Sequence, residues 1–466
     1  MKKTITVLLT LLTVMLMCVP AYANSAQVYW ESVPGLSVCT LDEDTPVTVE
    51  SEELLFDLSS TDWSGGGKVS AAYKMNNPTD GLITSQMVFP IISAPCEFLA
   101  ESVKITADGE NVPYSLYIGD VVNDEQSFDL STALKALDGT RYTPQSFDCD
   151  EQGTLYTFNI DTQRERLELS MSFMPVTGAY ILSSGFFNFH TADDGTVTIG
   201  SSYIPGVTQE GDILLYVIGA ELDFDISAYG IQGEPINSTE YICDVQEQKT
   251  TLASVLSDTL ELALQHPQNE SDVESDVWLD YYYELLDNYF IAGNTFAQCN
   301  EVLQFDYIKR TLFLTYSVDF EAGQTRDVSV TYDISATGDA TQTTDYKYTY
   351  DYLLSPAANW AQFGTLNITV KTPARSPYIA QSSLPFTSDG EQLYTASFSS
   401  LPEGELSFTL YSAPEITKSD MAAKKVRDIV NDIRFFITFF WWLPVLVAAI
   451  IVNAVLSKRK NKRAKQ

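Results

Sequence analysis

Four tyrosines stand at alternate positions, Tyr346, Tyr348, Tyr350 and Tyr352, in the stretch DYKYTYDYLL. A β-strand turns alternate side chains to one face, so the four rings share a face. Exposed, such a face stacks on the flat of a sugar or a base. Buried, it fills a core, and each hydroxyl then needs a partner. Lys347, Thr349 and Asp351 occupy the opposite face, and a strand with one polar face ordinarily turns the other inward. The spacing predicts a mostly buried strip, and the same four tyrosines are the candidate ligand-binding residues of the chain.

A second pattern is acidic. Asp276, Asp280, Glu284 and Asp287 follow at steps of four, four and three, which aligns them on one side of a helix. A carboxylate stripe can hold a basic partner or calcium, which prefers clustered oxygens, or it can simply be the solvated face. The loop DCDEQG, residues 148–153, has the Asp-x-Asp and glycine of a calcium loop. It lacks the acid at the twelfth position, where Asn159 stands. Only His190 and His266 are available for histidine chemistry, and no Cys-x-x-Cys occurs, so neither a zinc site nor another cofactor is expected. The nucleophile, zinc-protease and phosphate-loop motifs are absent from residues 24–432. The chain is therefore read as non-catalytic. The alternative is a membrane-anchored extracellular glycoside hydrolase using a carboxylate pair, since 62 acids offer many pairs.

The elements that must position these residues are mostly strands. Alternation runs through Val69–Met75 and Ile83–Phe89 around the turn residues Asn76–Gly81, and through Phe187–Ile199 around Asp193-Asp194-Gly195. It returns at Leu312–Phe320, Val328–Ile334 and Leu366–Val370, and a last hairpin is expected over 392–413. Between them the period lengthens. Leu252, Val255, Leu256, Leu260 and Ala263 suit a helix, as do Trp278, Tyr282, Leu285 and Tyr289. The fold predicted is mainly β: two antiparallel β-sandwich-like domains, 24–245 and 307–413, with a helical insertion at 246–306 between them.

The two ends suggest a location. Residues 1–23 have the charged start, apolar run and small-residue cleavage site of a signal peptide. Residues 434–456 read as a transmembrane helix behind a stalk helix at 414–433, and a basic tail at 457–466 follows. The expectation is a single-pass cell-membrane protein with its N-terminal part outside and its tail cytoplasmic. With 62 acidic against 27 basic residues, nucleic acid is excluded as a partner. The membrane, and a protein or glycan, remain. After the signal peptide five of the six cysteines remain, Cys39, Cys96, Cys149, Cys243 and Cys299; an odd number at wide spacing excludes a disulfide scaffold and leaves room for one or two bridges.

The aromatic strand followed by W-x-x-F-G-x-L-x-I-x-V, Trp360 to Val370, resembles domains of unknown function in surface-anchored proteins of Gram-positive bacteria. The resemblance covers about a hundred residues of the C-terminal β region. It implies a fold type and a surface location, and it brings no catalytic residues. The function expected is that of a cell-surface protein whose β-rich ectodomain binds a protein or glycan, or forms the outer part of a membrane assembly.

Overall fold

The computed structural model describes residues 29–30, 34–41, 44–60, 65–122, 142–208, 211–264, 271–299, 309–390, 392–440 and 452. Among them the chain is mainly β and forms five sheets. The largest has eight strands. At its centre Thr48–Asp57 lies between Phe363–Lys371, which it meets in parallel, and Gly67–Asn76, which it meets antiparallel. Thr325–Ile334 and Val103–Ala107 extend the sheet on the far side. Leu54, Phe56, Val69, Ala71, Val328, Val330, Ile368 and Val370 all point inward, as the alternation requires.

Two smaller sheets add to this core. In one, Ile83–Ser93 and Ser115–Val121 flank Arg310–Phe320. In the other, Leu406–Tyr411 pairs with the tyrosine strand Lys347–Leu353. Their apolar faces join the eight-stranded sheet in one continuous cluster. The edge-on contacts of Phe56 with Tyr352 at 5.8 Å and with Phe408 at 5.2 Å show how the layers interlock.

The turn at Asn77–Gly81 does not make a hairpin. Gly67–Asn76 belongs to the eight-stranded sheet and Ile83–Ser93 to a smaller one, so the connection is an arch between layers. Asn77 holds it, its buried amide donating to Gly81 O at 2.8 Å and Phe320 O at 3.0 Å. The segment 393–411 is an arch for the same reason: Leu393–Phe398 pairs with Phe363–Lys371, and Leu406–Tyr411 with the tyrosine strand. Phe187–Thr191 and Val197–Tyr203 do form an antiparallel hairpin.

A second sandwich is inserted into the first. Its sheets contain Gln152–Thr162, Tyr180–Ser184, Leu214–Ile218 and Tyr241–Thr251 on one side, and Leu167–Phe173, Val197–Tyr203 and Phe224–Tyr229 on the other. Its core is separate, built on Phe158, Leu169, Met171, Ile199, Leu215 and Val217. Helices α1, Leu252–Leu264, and α2, Ser275–Ile291, pack Leu256, Trp278 and Tyr282 into the main core beside Tyr216 and Leu182 of the insert.

These sheets correct the two-sandwich expectation. They are not purely antiparallel, and strands from residues 35–121 interleave with strands from 310–411 in the same sheets. The transmembrane expectation is also corrected: among the described residues no helix is long and apolar enough to cross a membrane. The last helix, α3, Lys418–Phe440, carries eight charged residues, from Lys418 to Arg434. Its longest uncharged run among the described residues is Phe435–Phe440, far short of the roughly 20 apolar residues a span requires. The single-pass cell-membrane placement and the membrane as partner are accordingly not carried forward. Residues 441–451 and 453–456 of the predicted span, the signal peptide at 1–23 and the basic tail at 457–466 lie outside the described residues.

Candidate functional site

The tyrosine strip lies mainly in the core. Tyr348, Tyr350 and Tyr352 are buried, and Tyr346 is half-buried just before the strand. The hydroxyls of the two most deeply buried rings find the partners that burial demands. Tyr350 donates to Gly65 O at 2.6 Å, and Tyr352 accepts from Ser37 Oγ at 3.4 Å. Tyr350 also stacks on Phe408 at 5.2 Å.

The acidic stripe on α2 does not face solvent as a unit. Asp276, Asp280 and Glu284 are half-buried. Burial, and then the neighbouring charge of Asp120, raise the Glu284 carboxyl above the usual range, with Arg310 opposing. Asp287 is wholly buried. It accepts from Tyr142 Oη at 2.8 Å, from Gln145 N at 2.9 Å and Ser146 N at 2.8 Å, and from Ser146 Oγ. Burial pushes its pKa up, and these bonds together outweigh that and hold it below the ordinary carboxylate value. Asp287 is thus an anchor for the segment 142–146. Asp148 closes its own turn, accepting from Asp150 N at 2.9 Å. Among the described residues no group of three acids, histidines or cysteines could hold a metal ion. His190 sits exposed on the hairpin, and His266 lies outside the described residues.

A cleft that the sequence reading did not single out opens where Ser115–Val121 parts from Arg310–Phe320. The two strands pair as far as Thr315 with Ser115. Beyond that point a cavity of about 450 Å³ forms, within the range of ligand sites. Tyr114, Tyr117 and Tyr316 line it, together with Gln86, Ser115, Thr315 and Ser317. Leu41, Met87, Val112 and Pro113 are also in the wall, and no charged side chain is among the described lining residues.

Each tyrosine is placed differently. Tyr117 stands opposite Phe313 on the outer face of the small sheet and packs with it against Cys39 and Val88. Tyr114, in the bend before that strand, is half-buried against the main core. Burial, and then the charge of Asp272, lift its hydroxyl above the ordinary range. Tyr316 stands opposite Met87 on the inner face and is 5 % exposed. Its hydroxyl has no hydrogen-bond partner, a costly arrangement for a buried donor. The alternation of Leu312–Phe320 placed Tyr316 on an inward face; what the alternation does not show is that the neighbouring strand ends beside it.

One more group stands out. Glu52 shares the inward face of its strand with Leu54 and Phe56 and is wholly buried. Neither carboxyl oxygen has a partner at ordinary hydrogen-bond geometry. Burial pushes its pKa up to about 8, and only the hydroxyl of Tyr73 pulls against that. Tyr332 and Tyr352 feel its charge. The sequence signal was present: the alternation in EELLFDL sets Glu52 in register with Leu54, Phe56 and Leu58.

No family model and no curated protein matches the chain, so nothing there bears on the resemblance to surface-anchored proteins. Among solved structures, the chain is similar to a crystal structure described as a "putative nutrient binding protein" from Legionella pneumophila. The identity is 10%, the match covers 83% of this chain and 73% of that one, and the TM-score is 0.30, too low to carry a fold or a function from one to the other.

Proposed function

We propose that the protein is a non-catalytic binding protein and that the tyrosine cleft takes a short, neutral glycan. The observation that carries the reading is the composition of the cleft. In a chain with 62 acids, the described residues of its wall combine three tyrosines with amide and hydroxyl groups and include no carboxylate. Aromatic rings meet the apolar face of a pyranose, and Gln86, Ser115, Thr315 and Ser317 suit its hydroxyls. Two-carboxylate hydrolysis needs a pair of acids flanking the scissile bond, and the described lining of this cleft supplies none.

Calorimetric titration with neutral tetrasaccharides (cello-, malto- and chitotetraose) against an acidic one, tetragalacturonate, tests the reading. Binding of a neutral member and exclusion of the acidic one is the expected result. Tyr117→Ala removes one stacking surface and should weaken that binding about tenfold, the equivalent of about 1.4 kcal/mol. Absence of binding by all three neutral sugars, or equal binding by Tyr117→Ala, overturns it.

A further inference from the structure

The segment Pro34–Leu41 runs from one side of the buried Glu52 to the wall of the cleft. Gly35 and Leu36 pair in parallel with Tyr352 and Leu353, and Ser37 N donates to Leu353 O at 3.1 Å. Two of the three tyrosines around Glu52 hold this strap directly. Val38 N donates to Tyr73 Oη at 3.2 Å and Ser37 Oγ to Tyr352 Oη at 3.4 Å. The third, Tyr332, sits so close beneath Gly35 that a Cβ there would meet its hydroxyl at 2.2 Å. Trp360 Nε1 adds a bond to Val38 O at 3.2 Å.

At its other end the strap makes the cleft. Cys39 and Thr40 pair with Val88 and Met87, and Leu41 N donates to Gln86 O at 2.9 Å. Leu41, Gln86 and Met87 are three of the cleft-lining residues. The groups that face Glu52 are Tyr73 from Gly67–Asn76, Tyr332 from Thr325–Ile334 and Tyr352 from Lys347–Leu353. Among the described residues no lysine, arginine or histidine influences its titration. A negative charge formed there has no counter-ion among the described residues, and two of the three tyrosines that face it are the ones that hold the strap.

We propose that Pro34–Leu41 is a proton-held cover: loss of the Glu52 proton releases the strap and with it one wall of the tyrosine cleft, so that pH regulates binding there. The regulatory part rests on the reading of that cleft as the binding site; the movement of the strap does not.

The closed form keeps Glu52 protonated up to about pH 8, whereas a solvated carboxyl ionises near 4.5. Between those values the open form gains up to tenfold over the closed form with each pH unit, and above them the gain stops. Hydrogen exchange of the full chain reads this directly. The amides of Val38 and Leu41 are compared in the native protein and in Glu52→Gln at equal pH from 5 to 9, so that intrinsic exchange rates cancel. The native-to-variant ratio should climb by up to tenfold per unit and level off near pH 8. Leu41 reports the cleft wall itself, whether or not a sugar binds. A ratio independent of pH overturns the proposal.

Should Glu52→Gln not fold, strap amides in the native protein are referred instead to those of Leu167–Phe173 in the insert, after correction for intrinsic rates. The same climb is expected, and a flat reference ratio again overturns the proposal. Cellotetraose, maltotetraose and chitotetraose titrated at pH 6 and 8.5 separate the two readings. No binding at either pH sinks the glycan reading and leaves the strap to its exchange result. Equal binding at both pH values, with exchange rising, sinks the regulation alone.

Discussion

Replacing Glu52 with glutamine keeps the size of a wholly buried side chain and removes its ability to ionise. The native carboxyl titrates near pH 8 in the folded protein against an ordinary 4.5. Below pH 4.5 both states hold the proton, and the residue is neutral to stability. As pH rises from 4.5 to 8 the unfolded chain releases its proton and the folded chain does not, so the native protein loses stability; above 8 the loss levels off. At pH 7 the gap spans 2.5 of those pH units, roughly 3 kcal/mol at 1.36 kcal/mol per unit. Glutamine carries no such penalty. Urea denaturation of both proteins at pH 4.5 and pH 7 measures it, and the difference between them cancels every other titrating group. The stability of Glu52→Gln relative to native should rise by about 3 kcal/mol between the two pH values. A difference that stays constant within about 1 kcal/mol would show that Glu52 ionises freely in the folded chain, and the reasoning from its burial would fail.

Tyr350→Phe deletes the bond to Gly65 O and leaves that carbonyl without its donor; a loss of about 1–3 kcal/mol in urea denaturation is expected. Phe56→Ala empties the contact between the eight-stranded sheet and the tyrosine sheet and should cost about 3–5 kcal/mol, lowering the melting temperature. Asp287 stabilises the segment 142–146 as an anion, so that contribution is present above its ordinary value of 3.8 and fades as pH falls below it. Asp287→Ala should show at pH 7 the loss of protection of the Gln145 and Ser146 amides, taken relative to their intrinsic exchange rates, that the native protein shows only in acid.

Local pattern was legible in the sequence; pairing was not. The alternation of Leu312–Phe320 and Val328–Ile334 marks real strands, and Leu252, Val255, Leu256 and Leu260 are the buried face of α1. Alternation says which side chains share a face, but not whether the next strand lies alongside or across the core. Asn77 makes an arch with the same residues that would make a hairpin. The acidic stripe shows a similar limit: spacing aligned the four carboxylates, but only the fold brings residues 142–146 against Asp287. Tyr316 and Glu52 were both in strands whose inward face could be read. Their unpartnered polar atoms come from tertiary neighbours, a strand that ends early in one case and three converging tyrosines in the other.

The parallel pairing of Thr48–Asp57 with Phe363–Lys371 has a consequence for how the protein is made. During synthesis the first strand emerges some 300 residues before its neighbour, a delay of roughly 15–60 s at about 5–20 residues per second. The inserted sandwich, with a core of its own between residues 156 and 236, has all those residues in hand long before that and can close first. Thr48–Asp57 meanwhile waits with an unpaired edge and an inward face of Leu54 and Phe56, the kind of surface that recruits wrong strands. On that same face stands Glu52, which in the nascent chain ionises as any solvated carboxylate does. A charge carried through the vulnerable interval and given up only when the sheet closes would keep the waiting strand from aggregating, which gives a residue that weakens the finished fold a use while the fold is being assembled.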